Sequence, residues 1–159
     1  MSKDKLMEGV IRDIIFNWMA DNNVAELSVS FNGEGDSGDF EDYINITPNY
    51  PNNVYNEEMH STANASLNNT RLVNTPPGID KNSTMADLVR KKSIEIEEQT
   101  DHGIDWYNDD GGNGEVLWLY NTEHGGVQYD RGVRLIVRAR VIEYDEHFFD
   151  IQGGEEGEI

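Results

Sequence analysis

Carboxylates gathered in two glycine-rich stretches are the residues of this chain best placed to do chemistry. The first stretch is Gly33-Glu34-Gly35-Asp36-Ser37-Gly38-Asp39, continuing into Glu41 and Asp42. The second is Asp105-Trp106-Tyr107-Asn108-Asp109-Asp110-Gly111-Gly112-Asn113-Gly114-Glu115, which runs into Val116-Leu117-Trp118-Leu119-Tyr120. Carboxylate oxygens are hard ligands suited to Ca²⁺ or Mg²⁺. The EF-hand spacing does not fit, because counting back from Gly111 puts Trp106 in the first ligand position and Leu117 in the last. A cation site would have to be assembled from both loops, with Asp36, Asp39, Asp109 and Asp110 as its ligands. Against it stands the ordinary use of Asp, Asn and Gly, which is to make turns. The leading expectation is no bound metal and no cofactor. Glu34, Asp36, Asp39, Asp105, Asp109 and Asp110 serve instead as a partner-binding surface, and Trp106 and Tyr107 pack over the sheet end.

Ser37 raises the question of nucleophilic catalysis. Over four residues, Gly35-Asp36-Ser37-Gly38 resembles the nucleophile motif of trypsin-like serine proteases. That chemistry needs a His base and an orienting carboxylate beside the serine. In that family the His precedes the Ser, and here none does; His60, His102, His124 and His147 all follow it. The chain is also too short for a two-barrel fold. Glycine-rich turn chemistry accounts for the string, and no catalytic residue is expected. Four His without cysteine argue against zinc. No phosphate-cradling motif occurs.

The elements that must carry these loops are readable from periodicity. Leu6, Met7, Val10, Ile11, Ile14, Ile15, Trp18 and Met19 predict a helix from Lys3 to Asp21, stopped by Asn22-Asn23. Leu27, Val29 and Phe31 alternate with polar residues as a strand, and Phe40 to Ile46 reads as its hairpin partner. Residues 47–82 hold every proline and many Asn, and read as a partly ordered excursion with a short strand near Thr70–Val73. Thr84 and Asp87 make a capping box for a helix to about Thr100. Val116–Tyr120 is a strand, Asn121 to Gly126 a hairpin turn, and Val133 to Tyr144 the last long strand. The tail from Gln152 to Ile159 is glycine and glutamate and is expected to be disordered. The result is one α+β domain over residues 1–150, in the order α-β-β-α-β-β. Its antiparallel sheet of four to five strands has two helices packed on one face.

The chain has 159 residues, 12 Lys plus Arg, 31 Asp plus Glu and a net charge of -19. Such a charge opposes direct binding to nucleic acid or an anionic membrane, and no segment reaches the length of a membrane span. With no secretory signal pattern, a cytoplasmic protein is expected. Asp13 to Thr70 contains ten acids and no Lys or Arg, and Ser93 to Asp130 contains ten more and again no base. Arg134, Arg138 and Arg140 form a row on the last strand, expected to pair with carboxylates on neighbouring strands such as Glu26 or Glu115. A compact domain of about 130 residues is roughly 36 Å across. Duplex DNA of that length carries about 21 phosphate charges, so the net charge matches a duplex-mimicking surface.

The loops Gly33-x-Gly35-Asp36-Ser37-Gly38 and Trp106-x-Asn108-Asp109-x-Gly111-x-x-Gly114, in this order, resemble a small family of uncharacterised acidic domains of bacteria, phages and mobile elements. The resemblance covers residues 24–46 and 84–150. It implies an α+β fold and a bacterial host cytoplasm, and brings no activity with it. The expected function is that of a non-enzymatic acidic interaction protein, phage or mobile-element encoded. It would occlude the nucleic-acid-binding site of a basic host protein, as a DNA mimic or anti-defence inhibitor. The alternative is a divalent-cation-dependent binding module using loops 33–42 and 105–115. Oligomeric state is left open.

Overall fold

A computed structural model describes residues 3–34, 37–72, 83–100, 111–139 and 145–151. The first helix, α1 (Lys3–Asp21), forms where its apolar spacing places it, and buries Ile15, Phe16, Trp18 and Met19. Asn23 ends it in the left-handed conformation, at φ 56°. Strand β1 (Val24–Glu34) follows, then two short strands, β2 (Ser37–Phe40) and β3 (Asn45–Pro48). The predicted single strand from Phe40 to Ile46 is thus divided. Both pieces pair with the same edge of β1, β2 against Phe31 to Glu34 and β3 against Val24 to Ser28.

Helix α2 (Glu57–Asn69) lies inside the segment read as an excursion, and is the main departure from expectation. Its Asn-rich sequence has poor intrinsic propensity, but Asn56 caps it by accepting a hydrogen bond from Met59 N at 3.0 Å. Ala63 and Leu67, one turn apart, are its buried residues, and Ser66 Oγ accepts a hydrogen bond from Trp18 Nε1 at 3.2 Å. Tertiary packing, not propensity, makes this helix. The short strand expected near Thr70 is a single bridge between Arg71 and Thr84. Helix α3 (Met85–Gln99) starts at the predicted capping box, with Asp87 N bonded to Thr84 Oγ1 and Thr84 N to Asp87 Oδ2.

Three long strands complete the sheet: β4 (Gly112–His124), β5 (Val127–Ala139) and β6 (Asp145–Ile151). Each pairing is antiparallel, and the order is β2-β1-β4-β5-β6 with β3 also on β1. The fold is α+β, with six strands and three helices among the described residues. One sheet face carries Leu27, Val29, Phe31, Val116, Trp118, Val133, Leu135 and Val137, and packs with residues of all three helices in one core. Trp118 is fully buried at its centre, 5.5 Å from Phe16 between ring centroids, and its Nε1 donates to Ser93 Oγ at 2.9 Å. Among the described residues no helix is long and apolar enough to cross a membrane.

Candidate functional site

The opposite sheet face sets charged and polar residues in register beside a few apolar ones, Leu117, Leu119 and Ile136. Ser28, Leu117, Arg134 and Asp150 form one cross-strand row, and Asn32, Asn113 and Arg138 belong to another. Glu115 lies between them and ties three strands together. Its Oε1 accepts from Ser28 Oγ at 2.9 Å, and its Oε2 from Arg138 Nη2 at 3.4 Å. The expected pairing of the arginine row with carboxylates is realised by Glu115 for Arg138 and by Asp150 for Arg134. Arg140 lies outside the described residues.

The end of the β4–β5 hairpin curls back onto this face. Asn121 sits at φ 49°, and the pairing opposite it, between Tyr120↔Arg131 and Thr122↔Tyr129, is missing. The expected turn from Asn121 to Gly126 is therefore two features: a bend at Asn121, and a tight turn at Gly125-Gly126, both at positive φ. Along a straight strand Val127 and Arg134 would be about 23 Å apart, at roughly 3.3 Å per residue. Yet the Arg134 guanidinium lies so close to Gly125 that a Cβ there would overlap it, and Nη1 is 3.4 Å from His124 Nδ1. Tyr129 lies over Gly132 and joins Leu117, Leu119 and Ile136 in a small second core. Glycine at 132 makes the space for that ring.

A charged network holds the curled hairpin down. Arg134 grips Asp150 with two bonds, Nε to Oδ1 at 2.8 Å and Nη2 to Oδ2 at 3.0 Å. The Tyr129 hydroxyl donates to the same Asp150 Oδ1, and the Arg134 guanidinium stands 5.6 Å from the Tyr129 ring centroid. Burial pushes the Asp150 carboxyl up, but the hydrogen bonds from Arg134 and Tyr129 outweigh it and hold it below its ordinary value. For Glu26, burial raises the carboxyl, His124 pulls it back and Glu115 raises it again; the net direction is upward. Its charged form therefore costs stability above its ordinary titration range.

Burial first, and the bond to Asp150 second, push the Tyr129 hydroxyl up to about 12 from 10.0. A raised folded value means that this contribution is complete below pH 10 and is lost as the pH climbs towards about 12. Tyr129→Phe is expected to lower neutral-pH stability by about 1–2 kcal/mol and to remove part of the alkaline loss. Thermal melts of both proteins, taken from neutral pH into that window, test this; parallel alkaline slopes would refute it.

Of the residues expected to bind a partner, Asp39 is exposed and its Oδ1 accepts from Phe40 N at 2.8 Å. Glu34 closes β1 with its backbone paired to Ser37; its side chain, and Asp36, Asp105, Asp109 and Asp110, lie outside the described residues. The same applies to Trp106 and Tyr107. Gly33 pairs with Gly112, so the chain leaves β1 and enters β4 at one end of the sheet. Both acidic loops attach there. Among the described residues no group of three or more His, Asp or Glu could hold a metal ion. Ser28, His124, Tyr129 and Asp150 were not legible as a cluster; the alternating arginines signalled only that carboxylates must lie opposite.

No curated protein and no solved structure matches the chain. A family model does, over residues 7–144, a span from within α1 through the end of β5 that includes the curled hairpin and both acidic loops. The chain belongs to the family of unknown function DUF6878.

Proposed function

We propose that the protein is an acidic interaction protein that docks on the nucleic-acid-binding site of a basic partner and occludes it without catalysing a reaction. The observation that carries this reading is the inward turn of the positive charge. Arg134 and Lys92 each have 3% of the side chain exposed, and Arg12 is buried. Arg138 bonds Glu115, and Arg90 donates to the carbonyl oxygens of Phe40 and Glu41 at 3.0 and 2.9 Å. Among the described side chains only Arg71, Lys91 and Arg131 are exposed bases, and Arg131 pairs with Asp13 at 3.2 Å. Asp39, Asp42, Glu57, Glu58, Glu98 and Glu123, by contrast, face solvent. Among the described side chains, exposed carboxylates outnumber exposed bases, and with a net charge of -19 the resulting negative field steers a cationic partner.

The test is capture from a bacterial lysate at low and high salt, followed by elution with duplex DNA. A nucleic-acid-binding protein should be retained at low salt and released both by high salt and by the duplex. Reversing charge at Asp36, Asp39, Asp109 and Asp110 should weaken its binding tenfold or more (about 1.4 kcal/mol) with an unchanged melting temperature. Retention that ignores both salt and duplex DNA would sink the reading.

A further inference from the structure

The segment between β3 and α2 displays apolar surface that the core does not use. Tyr55 is 61% exposed and Val54 65%. Tyr50 and His60 support the Tyr55 ring, with centroids 5.4 and 6.0 Å away. The display is hydrogen-bonded at both ends. Asn49 bonds Asn23 through backbone and side chain, and Asn56 caps α2. Between them Asn52 and Asn53 both occupy the left-handed region, at φ 55° and 58°. Two successive non-glycine residues there cost strain that the rest of the fold must outweigh. Binding residues lie disproportionately on loops positioned by a folded scaffold, and here such a loop holds an aromatic ring in water.

Charge selects the occupant. No Lys or Arg occurs between Asp13 and Thr70, while Glu57 and Glu58 follow Tyr55 closely and are exposed in the first turn of α2. A planar guanidinium can stack on an aromatic face and still direct its N–H groups to carboxylates, which an ammonium does less well. We propose that Tyr55, buttressed by Tyr50 and flanked by Glu57 and Glu58, is the seat of an arginine side chain of the basic partner. The inference rests on the acidic-docking reading above and adds a preference for arginine over lysine.

Short oligo-arginine and oligo-lysine peptides of equal length are the probes, titrated against the full chain by calorimetry at low salt. The arginine peptide should bind roughly two- to fivefold more tightly, the worth of an exposed cation–π contact. Tyr55→Ala should abolish that ratio and leave the lysine peptide's affinity unchanged, and Tyr55→Trp should widen it. Because Tyr55 is mostly exposed, the melting temperature should stay as it was. Equal affinities in the unaltered protein, or a ratio unmoved by Tyr55→Ala, would overturn the arginine seat and leave acidic docking standing. Binding of neither peptide would overturn both.

Discussion

Replacing Asp150 with alanine should cost about 3–5 kcal/mol of folding stability, whereas Arg134→Met should cost only about 2–3 kcal/mol. The order runs against simple exposure, since Asp150 has 31% of its side chain exposed and Arg134 only 3%. What decides it is the partner left behind. Without Asp150, a guanidinium wedged against Gly125 and beneath the curled hairpin keeps its charge and cannot reach water. Without Arg134, the Asp150 carboxylate can turn to solvent and still accept from Tyr129. Urea denaturation of the two single variants measures the difference; a larger loss for Arg134→Met would show that the pair is not wedged in this way.

The double variant sharpens the point. When both charges are removed, no buried ion remains uncompensated, so Arg134→Met with Asp150→Ala should cost less than the sum of the singles by about 2 kcal/mol. The acid limb carries the same information. Asp150 is held below its ordinary 3.8, so its contribution is present above that value and is lost as the pH falls through the lower folded one. Glu26, shifted the other way, opposes this slope.

Much of this architecture was legible where one local signal sufficed. The apolar spacing of α1, its Asn23 stop and the Thr84–Asp87 capping box each depend on residues within a few positions, and each formed as expected. Helix α2 was not legible, because its stability comes from Trp18 and the core rather than from its own Asn- and Ser-rich sequence. At Asn121 the positive φ that turn chemistry suggests is present, but it serves a bend inside a hairpin. Only the three-dimensional path of that bend brings His124 and Tyr129 to Arg134. The arginine alternation implied carboxylate partners, yet choosing Asp150 required β6, whose pairing no pattern within 145–151 announces. Of the six acids expected to meet a partner, Asp39 is the one whose side chain is described, and it is exposed.

One substitution made at two glycines should give opposite results. Gly114 faces the helix-side core, paired with Phe31 on one side and Val137 on the other. The Phe31 ring lies across it, and Phe31 in turn packs on Phe40 at a centroid distance of 5.0 Å. A methyl group at 114 would overlap both that ring and the carbonyl oxygen of Ile136. The ring belongs to a side chain 1% exposed, and the carbonyl to the central hairpin's backbone, so neither can yield cheaply. Gly114→Ala should therefore destabilise by about 3 kcal/mol. At Gly9, within α1, an added Cβ meets nothing within 4 Å. There alanine relieves the unfolded-state entropy of a helical glycine and should stabilise by about 0.5–1 kcal/mol. Urea midpoints of both variants, read with their slopes, measure this. A neutral Gly114→Ala would mean that the Phe31 ring and the Ile136 carbonyl can shift to admit a methyl group, and that the close approach of β5 to β4 at this position does not limit stability.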